Sequence, residues 1–529
     1  MALDLVLTGA TIHDGSGSPP RRADVGVRAD RIVHVGPDAG PARETVDLDG
    51  LVLTPGFVDI HTHSDVSLIH DPAGESKALQ GVTTEVVGNC GYSAFPVHPD
   101  RRAALIDQVA RLGDPPAAID WSDLDGYAAA VDAAGPSVNV APLVGHSALR
   151  IAAMAEPYGP LRDGDLDRMR SLLDAALRAG AYGMSTGLTH TPSALGDADE
   201  VAALVAVCAR HGALYATHAR AAAGRELDAI DEALDAVRRT RGRLQFSHLA
   251  LNDPAWWGRA DAALARFDAA RDEGLDVAFD VYPYDASSSA MVQYLPEWVQ
   301  EGGSAGLRAH AGDPDWRRRA LADIRPGFFG GIPWHWDRIV LTAAGPRTDL
   351  CGLSLAEVAA RLGQPAEEVL LDLCVELGSA AQVVLHYRTE ADMTAFLAHP
   401  LALVGSDGNA LPLDPAATDK PHPRAFGTFP RVLGRYVRDR GVLGLTDAVH
   451  KMSTGPARRL GLTDRGEIRP GFVADLTAFD PATVADRATF EAPRQAPVGV
   501  ALTVVAGQIV VRDGVLGPAR PGKVLRRAR

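Results

Sequence analysis

Lysine is nearly missing: four in 529 residues, at Lys77, Lys420, Lys451 and Lys523, with arginine supplying the rest of the 52 basic side chains and forming no dense run. Against 67 acidic residues this leaves a formal charge of −15, which argues against a phosphate-neutralising surface and against nucleic acid as a partner. The heavy use of Ala, Arg, Gly and Asp fits high-GC coding, a hint of source and not of function. Cysteine is as scarce. Cys90, Cys208, Cys351 and Cys374 are too far apart for a small disulfide framework, so a reducing, cytoplasmic compartment is expected. No apolar run reaches about 18 residues, and the start, MALDLVLTGATIHDG, carries Asp4 and no basic segment, so neither a membrane span nor a secretory leader is expected. What is present, 46% hydrophobic and 22% charged residues, makes a folded chain too long for one core.

Both ends alternate in short β-like pieces: DLVLTGATIHDG, DVGVRADRIVHVG and ETVDLDGLVLTPG at the start, and GEIRPGFVADLTAFD and VGVALTVVAGQIVVRDG near the finish. One β-sandwich domain built from residues 1–55 and 462–529 is the simplest reading. Between them, apolar runs alternate with Ala-rich helical stretches that close on Gly, the pattern of βα units and a parallel sheet. Eight runs qualify, at residues 56–63, 83–90, 137–146, 181–188, 214–219, 244–249, 276–284 and 401–408. The fold class is therefore α/β, a (β/α)8 TIM-type barrel over 56–461. Residues 285–400 are too many for one connection and are read as a subdomain inserted between strands 7 and 8.

In such a barrel, chemistry sits at the C-terminal ends of the strands. His61 and His63 lie at the end of the first run, Cys90 of the second, His218 of the fifth, His248 of the sixth and Asp407 of the eighth. Residues i and i+2 of a strand share a face, so His61 and His63 can address one ion. Alone, a His-x-His pair, a buried Cys or an Asp-Gly turn is ordinary. Six ligand-type residues at the ends of five strands are not, and imidazole, thiolate and carboxylate together suit zinc.

GFVDIHTHSD, GVTTEVVGNCG, the THAR at His218, FSHL at His248, VYPY, VGSDG and HPRAFGTFPRVLGRY resemble the D-aminoacylase (N-acyl-D-amino-acid deacylase) branch of the amidohydrolase superfamily over nearly the whole chain. The GNCG segment is the specific part, because most binuclear members bridge their metals with a carboxylated lysine, and no lysine here falls on a suitable strand. The resemblance implies that Cys90, His218 and His248 hold one Zn2+ tightly, that His61, His63, Cys90 and Asp407 frame a second, weaker position, and that Asp407 is the general base and acid of a metal-assisted hydrolysis of an N-acyl amino acid.

Around the substrate the chain departs from that pattern. Ala250 stands where members commonly carry a lysine, His190 stands where a tyrosine usually follows STGL, and NALPLDPAATDKP lengthens the segment after VGSDG. Arg424, Tyr282, Ser288, Ser289 and His190 are the expected substrate-binding residues, with only one of Tyr282 and Tyr284 expected in the pocket. His146 and His386 are weaker candidates. Three other readings compete with a D-aminoacylase-like deacylase: a natural-product tailoring amidohydrolase releasing an amino acid, an L-amino acid included, from an aromatic acyl precursor; a cyclic amidase of the hydantoinase or dihydroorotase type; and a non-catalytic binding protein. Oligomeric state is not legible.

Overall fold

The computed structural model describes residues 2–113 and 118–528. Its centre is a ring of parallel strands: β1 (Phe57–Asp59), β2 (Val82–Val87), β3 (Asn139–Pro142, continued by Val144–Gly145), β4 (Gly183–Gly187), β5 (Leu214–His218), β6 (Arg243–Phe246), β7 (Asp276–Val281) and β8 (Ala402–Val404). Each pairs with its sequence neighbour, in arcs β1–β2–β3 and β3–β4–β5–β6–β7–β8. The last seam is not a continuous ladder. It is crossed by a single bridge, Thr62 to Gly408, and by Asp407 N–H donating to the His61 carbonyl at 2.8 Å. This is the expected (β/α)8 barrel, with its last seam joined by few bonds.

Alternation along the strands separates two cores. Val58, Ile60, Val86, Ala141, Leu214, Ala216 and Leu403 fill the ring, while Phe57, Val82, Val87, Leu244 and Phe279 face the surrounding helices. Helices such as Asp165–Arg178, Ala198–Arg210 and Glu226–Thr240 put their buried stripes on that outer face.

Chain ends meet in a β-sandwich. One sheet holds Arg31–Gly36, Asp24–Arg28, Leu3–Thr8 and Ala42–Asp47. The other interleaves both ends of the chain, pairing Leu476–Phe479 with Val52–Pro55 on one side and with Val500–Val505 on the other. Leu5, Leu7, Val25, Val27, Leu53, Leu476, Leu502 and Val504 form its core. Between β7 and β8, a three-stranded antiparallel sheet (Ser287–Ala290, Ala381–Leu385, Ile339–Ala344) and four helices gather a separate core around Met291, Leu307, Leu341, Leu371 and Val383. No helix among the described residues is long and apolar enough to cross a membrane.

Candidate metal centre and substrate cavity

The first strand is shorter than the apolar run from which it was read. Ladder pairing stops at Asp59, and His61 and His63 lie just beyond, where isolated bonds such as Thr62 N–H to the Val86 carbonyl (3.0 Å) steer the chain over the ring mouth. Cys90 likewise follows β2 by a tight turn. Gly88 and Gly91 flank it at φ +81° and +77°, and Cys90 itself sits at +52°, a conformation that costs a side chain energy. A Cβ on Gly187 would strike the Cys90 carbonyl oxygen, so GNCG needs glycine both in its turn and opposite it. His248 (φ +37°) and Asp407 (φ +54°) share the left-handed geometry.

Four ligand atoms, one each from His61, Cys90, His248 and Asp407, lie within 4.8 Å of one another. Cys90 Sγ is central, 3.3 Å from His61 Nε2 and 3.4 Å from His248 Nε2. Asp407 Oδ1 is 3.3 Å from His61 Nε2 and 2.9 Å from His63 Nε2. His218 packs its ring 4.6 Å from that of His248, with Nε2 on the Thr189 hydroxyl at 2.7 Å.

Asp280 of β7 organises the cluster from behind. Its Oδ1 receives His61 Nδ1–H (3.0 Å) and the His248 backbone N–H (2.8 Å), while Oδ2 receives the Gln245 amide (2.9 Å). With Nδ1 so engaged, the free lone pair of a neutral His61 is on Nε2, aimed at a sulfur and a carboxylate. Acceptors converging on one point repel unless a cation or proton lies between them. The donor set, two imidazoles, a thiolate and a carboxylate, therefore fits zinc.

Electrostatics agree. Burial disfavours charge on His61, yet Asp280, Cys90 and Asp407 together hold its pKa well above the usual value. Burial pushes the Cys90 thiol up to about 11 despite His61, so a thiolate there needs a cation. His218 is pushed down to about 3, first by burial, and His248 well below normal for the same reason; both are neutral and able to donate a lone pair. Asp407 is buried, which favours its neutral form, but Arg424, His61 and His248 hold it ionised.

Above the cluster opens a cavity of about 200 Å³ that reaches from the barrel to the inserted sheet. All five expected substrate-binding residues line it: Arg424, Tyr282, Ser288, Ser289 and His190. Arg424 is already engaged, giving Nη1 to Asp407 Oδ2 at 2.6 Å and Nη2 to the Ser288 carbonyl at 3.2 Å. Ser289 Oγ contacts the Tyr294 hydroxyl at 2.8 Å, and His190 stacks 4.5 Å from His218. Tyr284 instead packs against Arg431 and reaches the Pro423 carbonyl. His146 is locked between Glu200 and Ser193, and His386 packs on Phe490; neither lines this cavity. Tyr92, Thr189, Asp280 and Arg388 were not singled out by sequence. Asp280 had a signal, an acid within the apolar run DVAFDV; Arg388 had none.

A family model described as "Amidohydrolase family" matches residues 44–313 and 350–511. An N-acyl-D-glutamate deacylase and a D-aminoacylase, both from Alcaligenes xylosoxydans xylosoxydans, are 39% and 36% identical, covering 99% of this chain and 97% and 98% of their own lengths. The crystal structure of N-acyl-D-glutamate deacylase from Bordetella bronchiseptica, complexed with zinc and a phosphonate inhibitor that mimics the tetrahedral intermediate, superposes with a TM-score of 0.85 at 37% identity over 99% of this chain and 100% of that one.

Proposed function

This chain belongs to the amidohydrolase family, in its N-acyl-D-amino-acid deacylase branch, and we propose on that footing that it is a zinc-dependent hydrolase of the amide bond of N-acyl-D-amino acids. The carrying observation is the convergence of His61, Cys90, His248 and Asp407 beneath a cavity, with Asp280 fixing two of them from behind. Cys90, His218 and His248 would hold one zinc, with Thr189 releasing His218 Nε2, and His61, His63, Cys90 and Asp407 would frame a weaker second position. When bound, zinc supplies Lewis acidity, polarising the amide carbonyl and lowering the pKa of an attacking water from about 16 toward about 7.

Asp407, held ionised, accepts the proton of the attacking water and passes it to the departing nitrogen. Arg424 restrains its second carboxylate oxygen, and so keeps Oδ1 facing the histidines. His190, Tyr282, Ser288 and Ser289 shape the cavity around the substrate. The other readings have no such support: the lysine bridge of cyclic amidases is absent, since the buried Lys77 binds Asp59, Ser406 and the Gly408 carbonyl instead. All four cysteines are free, in keeping with a cytoplasmic setting.

The test is hydrolysis of paired D- and L-N-acyl amino acids, with acetyl and aromatic acyl groups, by protein whose zinc content is measured on the same sample. Turnover of an N-acetyl-D-amino acid is expected. Zinc-loaded protein that cleaves only an aromatic-acyl L-substrate would replace this reading with the tailoring amidohydrolase.

A further inference from the structure

The seam between β8 and β1 is joined by few bonds, yet it carries Asp407, whose left-handed backbone (φ +54°) has to be held by its surroundings. Lys77, in the short helix Glu75–Ala78 between β1 and β2, is fully buried beside it. All three donors of its ammonium are spent within this seam: on Asp59 Oδ2 at 2.9 Å, on Ser406 Oγ at 2.6 Å and on the Gly408 carbonyl at 2.9 Å. Asp59, the last residue of β1 and equally buried, takes the Ser406 backbone N–H on Oδ1 at 2.8 Å. Ser406 Oγ in turn accepts the Gly408 N–H at 3.1 Å. A buried lysine and aspartate need only each other to cancel their charges. Here the remaining donors go to the residues on either side of Asp407. Glu85, also buried, stands 3.7 Å from the ammonium and accepts the Ser64 hydroxyl, whose Oγ takes the Ala410 N–H at 2.8 Å, so the anchoring continues along the same segment.

We propose that the Lys77–Asp59 pair positions Asp407, clamping Ser406 and Gly408 to the end of β1 so that Oδ1 stays within reach of His61 and His63. This rests on the deacylase reading above, in which Asp407 moves the proton. Both residues lie outside the cavity lining and act only through the placement of one carboxylate, so they are positioning residues. A misplacement of about 1 Å is enough to cost about 10²-fold where the chemistry depends on geometry.

Lys77→Met alone would strand a buried Asp59 charge and threaten the fold, so the working variant is Lys77→Met/Asp59→Asn, which removes the pair at similar volume. Ser406→Ala, which deletes one accepting group and keeps the pair, is the second and carries the same reading should the first not fold. On the zinc-loaded whole chain with an N-acetyl-D-amino acid, the double variant should lose about 10–100-fold in kcat and Ser406→Ala about 3–10-fold, with KM and zinc content held. In an Asp407→Asn background the same changes should cost less than about twofold, because nothing remains to be positioned. Undiminished kcat, a loss carried by KM, or a loss equally large in Asp407→Asn would overturn the proposal. If wild type turns over no N-acetyl-D-amino acid, the deacylase reading fails separately, and crystal structures of wild type and variants decide the pair alone. Asp407 Oδ1 displaced from His63 Nε2 in the variants upholds it, and an unmoved carboxylate overturns it.

Discussion

Cys90, His248 and Asp407 share a conformation that most side chains avoid, at φ +52°, +37° and +54°. Each such residue stores on the order of 1–3 kcal/mol that packing elsewhere must offset, and the return is ligand atoms aimed at one point. This makes Asp407→Asn a clean variant, because asparagine tolerates the left-handed region and fits the same space. We expect it to keep zinc, measured by elemental analysis, and to lose about 10²–10⁴-fold in kcat. Near-normal turnover would remove Asp407 from proton transfer. Asp280 acts one step further out. Asp280→Asn replaces an acceptor of His61 Nδ1–H with a group that can donate, which weakens the preference for a free lone pair on Nε2. Affinity for the weaker second zinc, the one His61 would frame, should fall about 10–100-fold in a chelator competition, with the fold unchanged by circular dichroism. Unaltered affinity would mean that His61 is not a ligand.

At the scale of elements, Glu390 pins the start of helix Glu390–Ala398 to the chain around Arg435–Arg440. Its carboxylate meets Arg435 at 2.7 Å, Arg440 at 2.6 Å and the Tyr436 hydroxyl at 3.0 Å. Burial opposes ionisation, but these donors bring the pKa down to about 2. A carboxyl depressed on folding stabilises above its unfolded pKa, ~4.5, and loses that contribution as pH falls toward the folded value. The side chain keeps a third of its exposure, so solvent screening reduces the contribution to about 1 kcal/mol. Wild type should therefore outlast Glu390→Gln in thermal denaturation at pH 7, and the gap should close between about pH 4.5 and 2. A gap independent of pH would assign the effect to packing. Elements were also where sequence spoke most clearly. Short apolar runs between Ala-rich helical stretches placed all eight barrel strands, because a parallel strand is buried on both faces, with residues such as Val58, Ile60, Leu214 and Ala216 inside the ring and others against the helices. Strand ends were less legible: His61, Cys90, His248 and Asp407 continue those runs in sequence, but turns and isolated bonds, which leave no periodic trace, set their positions. The convergence of His61, Cys90, His248 and Asp407 was legible from residue type and location. Arg388 was not, since it reaches the cavity from a segment whose place depends on the packing of the whole insertion.

At the scale of the molecule, the last residues complete the barrel from the end opposite the site. Gly522 N–H donates to the Pro136 carbonyl (2.9 Å), Val140 N–H to that of Lys523 (3.0 Å), Leu525 N–H to that of Val140 (2.7 Å) and Arg527 N–H to that of Gly180 (2.9 Å), so the tail runs beside the start of β3 and beneath β4. Leu525 is 7% exposed and joins the cluster inside the ring with Val86, Tyr182, Leu214 and Leu403. The ring is thus closed at one mouth by a segment that follows the β-sandwich in sequence, which ties the two units together. Truncating Leu525 to alanine removes buried methyls from a site held by backbone bonds on both sides, where collapse into the space is restricted, and should cost about 2–4 kcal/mol. A chain of this size often unfolds irreversibly, so the measurement is the half-life of activity at elevated temperature, expected to shorten in Leu525→Ala while kcat and zinc content at about 25 °C stay within error. The strands separate Leu525 from the metal residues, which gather at the opposite ends, and a variant that lost zinc at that temperature would show instead that the tail's packing is transmitted through the ring to the site.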